Sequence, residues 1–107
     1  MAEIKKITYL PSNKSGEDLG QQLVINTDTG TFYQSYRTII AKVYRNERGD
    51  WRMKLSEDWI YSKTTKVYTA KFFESFGFGI HCSKDVETAI QLGCIDVIEG
   101  RAMTFED

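Results

Sequence analysis

The sequence predicts a small α+β domain, an antiparallel meander of about five strands with two helices packed on one face. Three observations carry this. Apolar residues alternate with period 2 on both sides of glycine-containing turns between residues 21 and 56, they switch to i, i+4, i+8 spacing after Tyr61, and the strands precede the helices instead of alternating with them. Runs of strands followed by runs of helices argue against a doubly wound parallel fold. At 107 residues, with 41% hydrophobic and 13% aromatic content, residues 1–107 are expected to form one domain with enough apolar material to fold without metal or disulfide.

In chain order, Ile4, Ile7 and Tyr9 alternate modestly across residues 3–10 and suit a first strand. Pro11 to Asp18 is polar and turn-rich, so an exposed loop is expected. Gln21 to Asn26 reads as a strand, Thr27–Gly30 as a tight turn with Gly30 free to take positive φ, and Thr31 to Tyr36 as the returning arm. Ile39, Ala41 and Val43 alternate with Lys42 and Tyr44; beyond the turn Asn46–Asp50, Trp51, Met53 and Leu55 alternate with Arg52 and Lys54. This is the pattern of a half-buried hairpin whose apolar set faces the core, with Lys42, Arg52 and Lys54 on the wet face.

Helical spacing takes over next. Ser62 or Thr64 can cap a first helix, because a side-chain oxygen accepts from amides that have no helical partner. Tyr68, Phe72 and Phe76 mark its inner face, and Gly77 suits a left-handed stop with Phe78 touching Phe73. Ser83 can cap a second, shorter helix that turns Val86, Ala89 and Ile90 inward and ends at Gly93. The apolar patches between Ile95 and Phe105 suit one or two short returning strands, and an open meander edge leaves room for a homodimer.

Composition excludes several classes. No window approaches the roughly 18 apolar residues of a membrane span, and Met-Ala-Glu-Ile-Lys-Lys lacks the apolar stretch of a signal peptide, so a cytosolic protein without membrane contact is expected. His81 and Cys82 form the one candidate metal pair, Cys94 lies twelve positions beyond Cys82, and no second pair completes a zinc set. The cysteines flank apolar segments and read as small buried hydrophobes. A Cys–His dyad is disfavoured because strand neighbours point to opposite faces. No nucleophile elbow or phosphate-cradling loop occurs, and the carboxylates at Glu57-Asp58 and Asp85/Glu87 sit where turns and a helix start want them. The expectation is a non-enzyme with no cofactor, no metal and no catalytic residue.

Binding is the better prospect. Tyr61, Ser62, Lys63, Thr64, Thr65 and Lys66 put hydroxyls and lysines around a helix N-terminus, where free amides and a partial positive charge favour an anion such as phosphate; plain capping, with Trp59 and Tyr61 anchoring the strand end, explains the same residues. Although the net charge is −1, residues 37–71 hold nine Lys/Arg against four acids, and residues 72–107 hold two against seven. Arg37, Arg52 and Lys54 extend the candidate binding surface within the basic part. Tyr33, Tyr36, Tyr44, Trp51 and Trp59 interleave with Arg37, Arg45 and Arg52, a pattern that can stack single-stranded bases, although the tryptophans are large enough to expect partial burial.

Two segments resemble a set of short, uncharacterised proteins encoded by bacteriophages and other mobile elements, in which a Ser-Tyr-x-Thr-x-x-Ala strand precedes a Tyr-Ser-x-Thr-Thr-x-Lys helix start. Here they read Ser35-Tyr-Arg-Thr-Ile-Ile-Ala41 and Tyr61-Ser-Lys-Thr-Thr-Lys66, the second running directly from Thr65 to Lys66. The resemblance spans residues 30 to 76 and leaves 77–107 outside. It implies a phage or mobile-element origin, action in the host cytosol, and a non-enzymatic protein that binds and modulates a host protein in a defence or regulatory system. The alternatives are a nucleic-acid accessory protein using the basic 37–71 segment, or a binder of a small phosphorylated ligand using the Ser62–Lys66 helix start.

Overall fold

A computed structural model describes residues 3–10 and 21–107; the loop expected at Pro11–Asp18 lies outside the described residues. The chain runs β1 (Ile4–Tyr9), β2 (Gln22–Thr27), β3 (Thr31–Ser35), β4 (Thr38–Arg45), β5 (Trp51–Ser56), a 3-10 turn (Glu57–Ile60), α1 (Lys63–Glu74), α2 (Ser83–Gln91) and β6 (Ile95–Ile98). The six strands form one sheet in the order of the sequence. The first five pair antiparallel, as expected, but β6 adds to β5 in parallel, with Met53 opposite Ile95 and Leu55 opposite Val97. The expected five-stranded antiparallel sheet is therefore a six-stranded mixed one. Its physical reason is the connection: the two helices between β5 and β6 carry the chain back to the end where β5 began, so the next strand must run the same way.

Turn chemistry positions the antiparallel strands. Gly30 lies so close to β4 that a Cβ there would sit 2.8 Å from the Val43 carbonyl oxygen and 2.9 Å from Tyr44 Cβ, which excludes any side chain. Thr27 Oγ1 donates to the Gly30 carbonyl at 2.9 Å and closes the turn. In the next hairpin Asn46 Oδ1 accepts from the amides of Arg48 and Asp50. The β3–β4 connection is a two-residue loop of Tyr36 and Arg37, and Tyr36 takes a left-handed φ of 56° with no glycine to supply it.

Both helices pack on one face. Phe72 and Phe73 of α1 and Val86 of α2 are fully buried against Tyr33, Ala41, Val43, Met53 and Leu55 of the sheet. The Tyr33 ring lies 5.8 Å from Phe72, and its hydroxyl donates to Gln22 Oε1, so the polar tip of this core ring is satisfied. Burial pushes the Tyr33 phenol up, with the neighbouring Ser35 hydroxyl opposing this in part. Ser62 does cap α1, its Oγ accepting from the Thr65 amide at 3.1 Å. Gly77 takes the expected positive φ, but Phe78 stacks on Phe76 at 5.9 Å and meets the Trp51 edge instead of closing on Phe73. Ser83 is the first residue of α2, not its cap; Cys82 holds the cap position without a side-chain bond, and Asp85 reaches back to accept the His81 amide at 2.8 Å.

The hairpin's alternation is broken in an informative way. A bulge between Tyr33 and Gln34 on β3 and their β4 partners places both Ile40 and Ala41 in the helix-side core, and Ile39 moves to the opposite face. That opposite face is not wet. The segment after β6 crosses it, burying Met103 with Ile25 and Phe32 and setting Phe105 edge-on to Phe32 at 5.1 Å. Lys42, expected in solvent, is 5% exposed; its ammonium lies 5.1 Å over the Phe32 ring and 4.8 Å over Tyr44. Desolvation lowers its pKa, and nearby Lys54 adds to this. Lys54 donates to the main-chain oxygen of Asp107, and Arg101 grips the Asp107 carboxylate with both terminal nitrogens.

Phe72→Ala is expected to cost roughly 3–5 kcal/mol in urea unfolding, since it removes a fully buried ring packed among Tyr33, Phe73 and Phe76. A loss under about 1 kcal/mol would show that α1 is not anchored there. The strap over the second face has its own signature. The Arg101 hydrogen bonds, ahead of the Thr104 amide, hold Asp107 from 3.8 down to about 2, so the unfolded chain takes up that proton first as the pH falls. The stabilisation is complete above 3.8 and lost as the pH drops through about 2. Arg101→Ala should flatten this part of the melting-temperature profile; an unchanged acid limb would remove Asp107 as its cause.

Candidate functional site

Two segments far apart in sequence meet at one end of the sheet. The β3–β4 loop, with Ser35, Tyr36, Thr38 and Ile40, faces the entry to α1, with Asp58, Tyr61, Ser62, Thr64 and Thr65, and together they line a cleft of about 650 Å³. That is within the usual range of small-molecule sites. Ile40 and Thr65 are buried, whereas Tyr36 and Tyr61 are 60% and 87% exposed. The cleft thus combines a small apolar and hydroxyl-bearing interior with two projecting phenol rings.

Local sequence explains the placement. Ser56 opens the 3-10 turn by accepting the Asp58 amide, and the Tyr61 amide closes it on the Asp58 carbonyl at 2.9 Å. Ser62 then starts α1, with its hydroxyl 3.0 Å from that of Thr65. Thr69 Oγ1 donates to the Thr65 carbonyl at 2.7 Å, which accommodates a buried hydroxyl on the helix's inner face. The amides of Lys63 and Thr64 open the helix and have no helical carbonyl to bond, and the first turn carries no acid. Lys63 and Lys66 flank it.

Ser35 is the exception to this satisfied network. It is 4% exposed, and its Oγ has no hydrogen-bond partner among the described residues. The Tyr33 phenol donates to Gln22, and the Ser35 hydroxyl lies near enough to act on it electrostatically but does not meet the geometry of a hydrogen bond to it. A buried hydroxyl without a partner loses its hydration without compensation, and such groups in folded proteins ask for an explanation. Here the residue lines an open cleft.

The expected binding residues divide into two groups. Tyr61, Ser62, Thr64 and Thr65 line the cleft, with Lys63 and Lys66 on the same helix turn and Arg37 exposed in the facing loop. Arg52 and Lys54 lie elsewhere on the sheet: Arg52 pairs with Asp96 at 3.2 Å, and Lys54 is held by Asp107. Tyr61 does not anchor the strand end, since its ring projects into solvent, but Trp59 is buried at 4%. Tyr33 is fully buried, so no base-stacking platform forms around it, and Trp51 is half exposed under the Arg45 guanidinium at 4.4 Å. Both cysteines are exposed and not buried, and His81-Cys82 lies in the loop ahead of α2 rather than on a strand. Ser35, Thr38, Ile40 and Asp58 were not among the expected site residues. The link was available only in the motif pair itself, because Ser35-Tyr-x-Thr and Tyr61-Ser-x-Thr-Thr are the two walls of the cleft.

The chain matches a family of unknown function (DUF8033) over residues 4–88. It belongs to that family. The DUF8033 match takes in the sheet from β1 to β5, α1 and every residue lining the cleft, and it ends before β6 and the strap. No curated protein and no solved structure is similar to the chain at a significant level.

Ser62→Ala should lower stability by about 1 kcal/mol through loss of the α1 cap. Ser35→Ala should leave the melting temperature unchanged or raise it, because the hydroxyl it removes makes no bond. A loss comparable to that of Ser62→Ala would mean that Ser35 has a structural partner in solution.

Proposed function

We propose that this protein is a non-enzymatic binding module of a bacteriophage or another mobile element, which engages a host protein in the host cytosol and modulates a defence or regulatory system. The observation that supports it is a pair of exposed tyrosines lining the cleft, with an exposed isoleucine next to one of them in the chain. Tyr36, Ile60 and Tyr61 are 60%, 58% and 87% exposed, with Arg37, Lys63 and Lys66 on the same loop and helix turn. Tyrosine and arginine are the residue types that anchor protein interfaces, because they combine large contact area with hydrogen bonding. The mobile-element origin rests on the resemblance of Ser35–Ala41 and Tyr61–Lys66.

The nucleic-acid alternative has less surface to work with. Of the basic residues in 37–71, Lys42 is buried, Arg52 and Lys54 are tied to Asp96 and Asp107, and Arg45 covers Trp51. A continuous basic track, which phosphate neutralisation needs, is thereby interrupted.

The test is affinity capture from host lysate, with and without nuclease, using the wild type, Tyr61→Ala and a Lys63→Ala/Lys66→Ala double variant. One host protein retained through nuclease and moderate salt, and lost with Tyr61→Ala, is the expected result. Tyr61 and Lys63 are exposed and Lys66 is half-buried, so both variants should shift stability by less than about 1 kcal/mol. A catch that vanishes with nuclease would transfer the function to nucleic acid.

A further inference from the structure

Beyond a protein partner, we infer that the cleft is a small-molecule site for a nucleoside monophosphate or a ligand of the same chemistry: a planar ring, a hydrogen-donating edge and an anionic group. Each part has a counterpart on the cleft wall. The α1 entrance offers the amides of Lys63 and Thr64, the hydroxyls of Ser62 and Thr64 and no acid in the first turn, which suits a phosphate. Ser35 supplies the independent observation: a 4% exposed residue in the lining of the same cleft whose hydroxyl has no hydrogen-bond partner among the described residues. The exposed rings of Tyr36 and Tyr61 offer faces on which a base can stack.

Asp58 decides between ligand classes. A bare anion would meet this carboxylate in the same lining. A ligand that keeps its phosphate at the α1 end and turns an amine or ribose hydroxyls toward Asp58 is favoured over inorganic phosphate and over an uncharged nucleoside. The cleft volume of about 650 Å³ accommodates a ligand of this size. Tyr36 stands on a two-residue loop, where its left-handed φ of 56° sets the direction in which the side chain leaves the backbone.

The experiment is titration calorimetry and thermal shift on the full chain with adenosine, guanosine, cytidine and uridine 5′-monophosphates. Adenosine, inorganic phosphate and a 5′-phosphorylated oligonucleotide serve as separate arms. The expected result is one-to-one binding of at least one monophosphate, tighter than adenosine or phosphate, and about tenfold weaker in Ser35→Ala and in Tyr61→Ala. Ser35→Ala removes an unbonded hydroxyl and Tyr61→Ala an exposed ring, so neither should lower the melting temperature without ligand. No binding by any monophosphate up to about 1 mM overturns the inference, whatever the lysate capture finds. So does phosphate binding as tightly as the nucleotides, binding by the oligonucleotide alone, or nucleotide affinity that both variants leave unchanged.

Discussion

The packing of Phe72 against Tyr33 is the contact on which the rest of the molecule depends. Tyr33 is fully buried on β3 with its hydroxyl fixed by Gln22, and Phe72 sits 5.8 Å away on α1. Phe73 and Phe76 extend the cluster at 5.6 and 5.4 Å from Phe72. Apolar burial of this kind is the main favourable term in folding, and aromatic pairs add geometric preference to it. Once α1 is seated there, its N-terminal turn lies beside the β3–β4 loop. The cleft is a by-product of that docking: its two walls come from elements whose relative position the core decides.

The sheet is covered on both faces, by different means. Two helices cover one, while the segment after β6 covers the other with Met103 and Phe105 and holds its end through Arg101, Lys54 and Asp107. This second layer is thin, so charged residues take part in it. Lys42 survives burial because its long stem packs on Phe32 while its ammonium lies over two aromatic rings. The family match stops ahead of Arg101, Met103, Phe105 and Asp107, so the cleft lies wholly within the matched part and the covering segment lies outside it.

Local signals in the sequence were enough for the five antiparallel strands and the glycine stops, and they narrowed the α1 cap to Ser62 or Thr64, because turn residues and capping hydroxyls act within a few positions of themselves. What escaped it depends on distant partners. The direction of Ile95–Ile98 is decided by the path through two helices, and four residues carry no directional signal. Lys42 reads as solvent-facing unless residues 103–107 are known to lie over it. The bulge that splits Ile39 from Ile40 and Ala41 leaves no glycine or proline to betray it. The helix-start half of the site was legible as a possible anion cradle; the facing half was legible only as a motif, because the unpartnered state of Ser35 is a property of packing.

At the far side of the sheet, β1 pairs only with β2, and its outer row of backbone groups is open among the described residues. Ile4, Ile7 and Tyr9 are each about half exposed there. Such an edge invites stacking of one molecule on another. Two devices oppose it: adjacent Lys5 and Lys6 put positive charge on the strand, and an irregularity between Ile4 and Lys6 spoils the straight ladder a second strand would need. The same lysines that make this strand look unremarkable in the sequence therefore make its open edge a poor template for a second copy of the sheet.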